Sequence, residues 1–261
     1  MTAHRKPPLR GSQQINATIR NRDAYASSFA VRHFAQQTDL FPPEASILRR
    51  VRGELRPASI LDIGVGGGRT TLHFAPLARR YAGLDYSTAM IAACRKRFPS
   101  GDLLFCAADA RALPFADRSF DFVLFSYNGI DYVPHNDRLR ILTEARRVLE
   151  PGGYYAFSTH NLTDEPPFLT KRRSRDPRVR LLRRLLRRQN PPLTAIASAD
   201  WIVLNDGALR GRLATYYVRR LEQLRQLADA AFAVVEVLQL DGSVARADST
   251  DSWLYYLCRR D

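Results

Sequence analysis

The chain has 261 residues, 45% of them hydrophobic, and a formal net charge of +14. That length suits one α/β domain with an insertion and is enough to bury a sizeable core. No run of about 18 uncharged apolar residues exists to cross a membrane, and Met1 to Arg22 carries charges without an apolar centre, unlike a secretory signal. Cys94, Cys106 and Cys258 are far apart with no C-x-x-C, which points to reduced thiols in a cytoplasmic protein and away from a disulfide scaffold or zinc site. The charge is concentrated. Lys171 to Arg188 carries +9, leaving +5 for the other 243 residues, so nucleic acid is the disfavoured partner.

In chain order, residues 1–22 read as a polar, flexible tail. Residues 23–57 read as N-terminal cap helices broken at Pro42-Pro43. Ser59 to Ile63 is a short apolar strand. A glycine-dense turn follows, and a helix is expected over 69–80. Tyr81 to Leu84 is the second strand, and Ser87 caps a helix running to about Phe98. Asp102 to Cys106 is the third strand. Phe120 to Ser126 is the fourth, with the nearly continuous apolar character of a strand covered on both faces. A helix from Asn136 or Asp137 to Leu149 ends at Pro151-Gly152-Gly153, and Tyr154 to Thr159 is the fifth strand.

The alternation then breaks. Residues 161–216 read as an inserted lid for substrate recognition. It holds a basic amphipathic helix over 175–189 and short strands near Ala199 to Leu204 and Ala214 to Val218. A helix over 219–231 and strands over 233–240 and 252–258 close the chain. The expected fold is α/β, a doubly wound Rossmann-like sheet of seven mostly parallel strands with an antiparallel closing strand. Its core comprises 58–160 and 217–261.

The glycine turn reads Asp62-x-Gly64-x-Gly66-x-Gly68. Position 69 is Arg, so the dinucleotide pattern G-x-G-x-x-G is incomplete, and no Gly-Lys-Ser/Thr makes a Walker loop. Glycines here let the backbone turn sharply and approach a ligand closely. Asp85, at the end of the second strand, can accept two hydrogen bonds from vicinal ribose hydroxyls, and Tyr86 can lay its ring on an adenine.

The Asp62–Gly68 motif resembles that of class I S-adenosylmethionine-dependent methyltransferases. The resemblance covers residues 55–160 and, by pattern, 217–258. It implies S-adenosylmethionine as cofactor and an adenine edge site at Asp109-Ala110. It further implies that the end of the fourth strand, at Ser126, borders the transferable methyl group. Tyr127 and Asn128 follow there without the Pro-Pro of amino-directed enzymes, and no carboxylate cluster suggests a catechol-type magnesium site, so no metal is expected. A hydroxyl acceptor benefits from a base. His160, with Asn161 beside it, stands first by position, Asp131 second, and His135 is a further candidate.

Trp201, Asn205, Asp206, Tyr216 and Tyr217 suit the lining of a substrate pocket. The arginines of 175–189 admit three roles: a solvated lid face, an anionic substrate, or weak association with an acidic membrane surface. The expectation is methyl transfer to a small-molecule hydroxyl, in a sugar or other secondary metabolite. An RNA methyltransferase using the Arg-rich helix and a non-catalytic cofactor-fold binding protein are the alternatives.

Overall fold

A computed structural model describes residues 21–54, 58–163, 177, 196–204 and 213–261. The basic helix expected over 175–189, and Asn205 and Asp206, lie outside the described residues, apart from Pro177.

Residues 21–26 are helical. Then come α1 (Ser28–Ala35), α2 (Pro42–Glu54) and β1 (Ala58–Ile63). The helix expected over 69–80 is only α3 (Thr71–Phe74), continued by one 3-10 turn, Ala75–Leu77. Pro76 explains the difference: it has no N–H for the helix ladder and its ring collides with the preceding turn. The chain therefore extends early, and β2 runs Ala78–Asp85, longer than the expected 81–84. α4 (Thr88–Arg97), β3 (Leu103–Ala107), β4 (Phe120–Phe125), a 3-10 turn (Gly129–Tyr132) and α5 (His135–Val148) follow. β5 (Leu149–Asn161) is longer than expected. β6 (Ile196–Ala197), β7 (Trp201–Leu204), β8 (Thr215–Val218), α6 (Arg220–Asp229), β9 (Phe232–Leu238) and β10 (Trp253–Arg260) complete the chain.

Seven strands form the expected sheet in the order β3-β2-β1-β4-β5-β10-β9. The first five are parallel, and β10 is antiparallel to both neighbours. Alternation sorts the core into two layers. Leu61, Ile63, Val123, Phe125, Tyr155 and Phe157 pack with Ile141, Leu142 and Ala145 of α5 on one face. Ile60, Phe122, Leu124 and Ala156 pack with Ile47 and Val51 of α2 and Ile91 of α4 on the other. The Ser59 N–H donates to Asp121 Oδ2 at 2.7 Å, tying β1 to β4.

β5 outruns β4. Pairing with β4 stops at Phe157, whereas β10 follows β5 as far as His160. β8 pairs in parallel with His160 and Asn161 and so takes the edge that β4 leaves, carrying β7 and β6 with it. This three-strand ribbon stands at the C-terminal ends of the parallel strands, where ligands bind in open α/β sheets.

Candidate active site

Asp62 closes β1. Its side chain is buried, and Oδ2 accepts from Thr70 Oγ1 at 2.5 Å and from Tyr81 OH at 2.7 Å. Burial pushes its pKa up to about 6, against those two donors. Gly64, at φ 65°, must be glycine on two counts: the backbone is left-handed, and a Cβ would stand 2.8 Å from the Phe125 ring. Gly66 also has positive φ and lines the cleft. Gly68 shares that backbone region but packs toward Phe98, outside the lining.

Asp85 ends β2. Its Oδ2 accepts from the Gly66 N–H at 3.1 Å and its Oδ1 from the Ser87 N–H at 2.8 Å. The carboxylate is buried with no cation paired to it among the described residues, and desolvation raises its pKa to about 6. Tyr86 donates from its OH to the Asn21 carbonyl at 3.3 Å and meets Tyr25 edge-on. Asp109 is clamped by Arg111, whose Nη2 lies 2.7 Å from Oδ2 and whose Nη1 reaches Asp137 at 2.7 Å. Partial burial works to raise the Asp109 pKa, but the Arg111 hydrogen bonds win and hold it below the usual value.

Asp62, Gly64, Gly66, Asp85, Tyr86, Asp109, Ala110, Ser126 and Tyr127 all face one cleft of 570 Å³. That is within the range of about 300–1,000 Å³ for ligand pockets. The site fits an adenosine-bearing molecule. Asp85 is a desolvated acceptor without a counter-charge among the described residues, and Gly64 and Gly66 line the cleft with it.

The catalytic candidates lie beyond the end of β4. Tyr127 and Asn128 both have φ 56°, a conformation rare outside glycine, held in part by the Asn128 N–H donating to Ser158 Oγ at 2.8 Å. His160 and Asp131 come together: Asp131 Oδ2 lies 2.7 Å from His160 Nδ1 and also 2.7 Å from the His160 backbone N–H. Asp131 Oδ1 takes Thr159 Oγ1 at 2.7 Å and the guanidinium of Arg138. Both Asp131 and Arg138 are fully buried, and Arg138 also bonds Gln223 and Gln226. Neither His160 nor Asp131 lines the 570 Å³ cleft; Tyr132, which does, meets the His160 ring edge-on at 6.4 Å. Asn128 Nδ2 lies 3.4 Å from His160 Nε2.

Trp201, His135 and Tyr216 sit apart from the cleft as one stack. Trp201 is parallel to His135 at 4.5 Å, and Tyr216 OH bonds His135 Nδ1 at 2.8 Å. Burial lowers the His135 pKa. Among the described residues no group of three or more His, Cys, Asp or Glu could hold a metal ion, and no helix is long and apolar enough to cross a membrane.

Residues 60–153 match the family description "Methyltransferase domain". Over that stretch the chain is similar to methyltransferase domains. The matches behind this are regional. Demethylmenaquinone methyltransferase of Renibacterium salmoninarum is 36% identical over 111 residues, 42% of this chain and 45% of that one. Malonyl-[acyl-carrier protein] O-methyltransferase of Pseudescherichia vulneris is 31% identical over 141 residues, 53% of this chain and 54% of that one. The chain thus spans about half the length of these curated relatives. The fold matches more widely. The 1,6-didemethyltoxoflavin-N1-methyltransferase of Burkholderia thailandensis, solved with 1,6-didemethyltoxoflavin and S-adenosylhomocysteine, superposes at TM-score 0.63 and 16% identity. That covers 98% of this chain and 93% of that one. An S-adenosylmethionine-dependent methyltransferase from Mesorhizobium loti gives TM-score 0.59 and 20% identity over 84% of this chain and 98% of that one.

The cleft has a roof that sequence reasoning missed. Asn21, inside the stretch read as a tail, is buried. Its Nδ2 donates to the Tyr132 and Ala214 carbonyls at 2.8 and 2.9 Å, and its Oδ1 accepts from the Ala214 N–H at 2.8 Å. It therefore ties the N-terminal helix both to the turn after β4 and to the ribbon. Arg69, which spoils the dinucleotide pattern, reaches Glu44 of α2 with both terminal nitrogens at 2.5 and 2.7 Å. Glu44 also takes the Ser126 hydroxyl. An arginine inside a glycine loop and a glutamate just after Pro-Pro were the available signals.

Proposed function

We propose that the protein methylates a hydroxyl oxygen of a small-molecule secondary metabolite. When bound, S-adenosylmethionine supplies a methyl group on a sulfonium: the acceptor oxygen forms the bond to carbon, the carbon–sulfur bond breaks with its electrons staying on sulfur, and the hydroxyl proton is left for a base. Asp85 holds the ribose hydroxyls, Asp109 and Ala110 the adenine edge, and the glycine loop the remainder of the cofactor. Asp62 and Ser126 line the same cleft.

His160 is the group proposed to take the proton. Asp131 positions it, because an acceptor at Nδ1 fixes the proton there and leaves the Nε2 lone pair as the basic one. Asp131 itself is committed to Arg138, Thr159 and His160, so its role is orientation. The observation that carries the reading is the juxtaposition of the adenosine-type cleft with this His–Asp pair at the C-terminal ends of β4 and β5. Relatives named as O-methyltransferases of malonyl-[acyl-carrier protein] and of a fatty acid agree with oxygen as the acceptor atom.

The test is calorimetry with S-adenosylhomocysteine, followed by mass spectrometry of a hydroxyl-bearing substrate panel. Binding and a gain of one methylene are expected. No heat with S-adenosylhomocysteine sinks the cofactor assignment. His160→Ala should lower kcat by about 100-fold, the low end for a lost general base, with unchanged S-adenosylhomocysteine affinity. Equal activity dismisses His160.

A further inference from the structure

We propose that Arg111 fixes which base the cleft accepts. It holds the Asp109 carboxylate in one plane and leaves it a single open acceptor direction, which takes the exocyclic amine of adenine and refuses a carbonyl at the same place. The inference rests on the assignment of Asp109 to the adenine edge above.

An aspartate cannot set that plane by itself, because its terminal torsion is broad and roughly two-fold. Here the plane is set from outside. Arg111 Nε lies 3.0 Å from Asp109 Oδ1 and 3.1 Å from Oδ2, and Nη2 lies 2.7 Å from Oδ2. A planar guanidinium fork is met best by a carboxylate in the same plane. The Arg111 backbone N–H adds a second donor to Oδ1 at 2.9 Å, as in an Asx turn. An ionised carboxylate offers about four acceptor directions. Two donors at Oδ1 and one close donor at Oδ2 leave one direction, on Oδ2. Asp109 is half-buried and lines the cleft, so a ligand can reach it. One acceptor is what a single amine N–H needs.

Arg111 is itself held. Its Nη1 reaches Asp137 Oδ2 at 2.7 Å, in the first turn of α5. The same helix grips the loop that follows. The Leu113 N–H donates to Glu144 Oε2 at 2.7 Å, and Arg147 donates to the Leu113 and Phe115 carbonyls at 2.9 and 2.8 Å. On the other side the Ala108 N–H donates to the Asp85 carbonyl at 3.1 Å, which ties the base edge to the ribose acid. Glu144 and Arg147 lie outside the cleft lining, whereas Arg111 and Asp137 belong to it. Arg111 is therefore the link between the helix and the acceptor that reads the base. As a stability device the pair is weak: the Arg111 and Asp109 side chains are 33% and 47% exposed, and ion pairs in contact with water contribute little. What the geometry supplies is orientation.

The experiment measures base selectivity by calorimetry on the full chain, with S-adenosylhomocysteine and S-inosylhomocysteine as probes. The two differ at the base edge, where a carbonyl replaces the amine and the ring nitrogen beside it gains a hydrogen. They carry the same charge, so a change in the net field of the site cancels in their ratio. The wild type is expected to bind S-adenosylhomocysteine at least about tenfold more tightly, the scale of a hydrogen bond lost with its partner left unpaired. In Arg111→Ala the ratio should fall below about threefold, through weaker binding of the adenine probe, with the thermal midpoint unchanged. Arg111→Lys keeps the charge and loses the fork, so it should lower the ratio as well. It also supplies the reading should Arg111→Ala not fold. A wild-type ratio in Arg111→Ala overturns the proposal. So does full recovery in Arg111→Lys, which makes charge and not orientation the active quantity. If the wild type binds both probes equally, Asp109 does not read the base edge, and the proposal falls while the cofactor reading stands. No binding of S-adenosylhomocysteine at all is the separate result that removes the underlying methyltransferase reading.

Discussion

Two regions of the molecule, the cleft and the buried cluster behind it, treat a carboxylate differently. At the ends of β1 and β2, Asp62 and Asp85 accept from hydroxyl and amide donors without an ion pair among the described residues, and burial lifts both pKa values to about 6, for Asp62 against the nearby Arg69 charge. In the cluster behind it, Asp131 is fully buried against Arg138, and both of its oxygens accept from structural donors. The first arrangement leaves acceptors with something to gain from a ligand's hydroxyls. The second holds a histidine, a turn and three helices or strands in register, and has nothing left for a substrate.

If this contrast is right, the Asp131–Arg138 pair should matter most to stability. Asp131→Ala strands a buried guanidinium and should cost about 3–5 kcal/mol in urea unfolding, whereas Asp131→Ala with Arg138→Met should recover most of it. A single-variant loss below about 1 kcal/mol contradicts the architectural role. In the cleft the balance reverses. Asp85→Ala should weaken S-adenosylhomocysteine by about 1–3 kcal/mol in calorimetry without a comparable loss of stability, because a desolvated, unpaired carboxylate has been removed. Unchanged affinity excludes the ribose role.

A smaller effect sharpens the same contrast through pH. The folded pKa of Asp85 lies above the ordinary 3.8, so the native state holds this proton more tightly than the unfolded chain. Its contribution to stability is present in acid and is lost as pH rises from about 4 through about 6. Ligand affinity runs the other way, since the ionised carboxylate is the better acceptor. S-adenosylhomocysteine should bind more weakly as pH falls from 7 to 5, and Asp85→Asn should flatten that part of the profile. A wild-type profile that is flat across this interval contradicts a carboxylate that titrates there.

The same asymmetry explains what could be read from the chain. Asp62, Gly64, Gly66, Asp85 and Asp109 were legible because strand, turn and helix are local and ligands gather where strands end. His160 and Asp131 were placed separately at strand ends, and their meeting follows from parallel β4–β5 pairing. Arg138 was not legible. α5 carries Arg138, Arg140, Arg146 and Arg147, and nothing in their spacing says that Arg138 is buried whereas Arg140 is exposed. Glu44 and Arg69 were missed for the same reason: a buried ion pair 25 residues apart is created by helix docking, not by pattern.

The smallest expected effect tests whether Asp85 is held by its own amide partners or by the helix behind it. Ser87 is the N-cap of α4, with its Oγ accepting from the Met90 N–H at 3.4 Å, while its own backbone N–H donates to Asp85 Oδ1 at 2.8 Å. Ser87→Ala deletes the cap and keeps the amide. It should cost about 1 kcal/mol of stability and leave S-adenosylhomocysteine affinity within error of wild type. If affinity falls as far as in Asp85→Ala, the carboxylate is oriented by the capped helix as a unit, and the unpaired acid in the cleft is as much architecture as the paired one behind it.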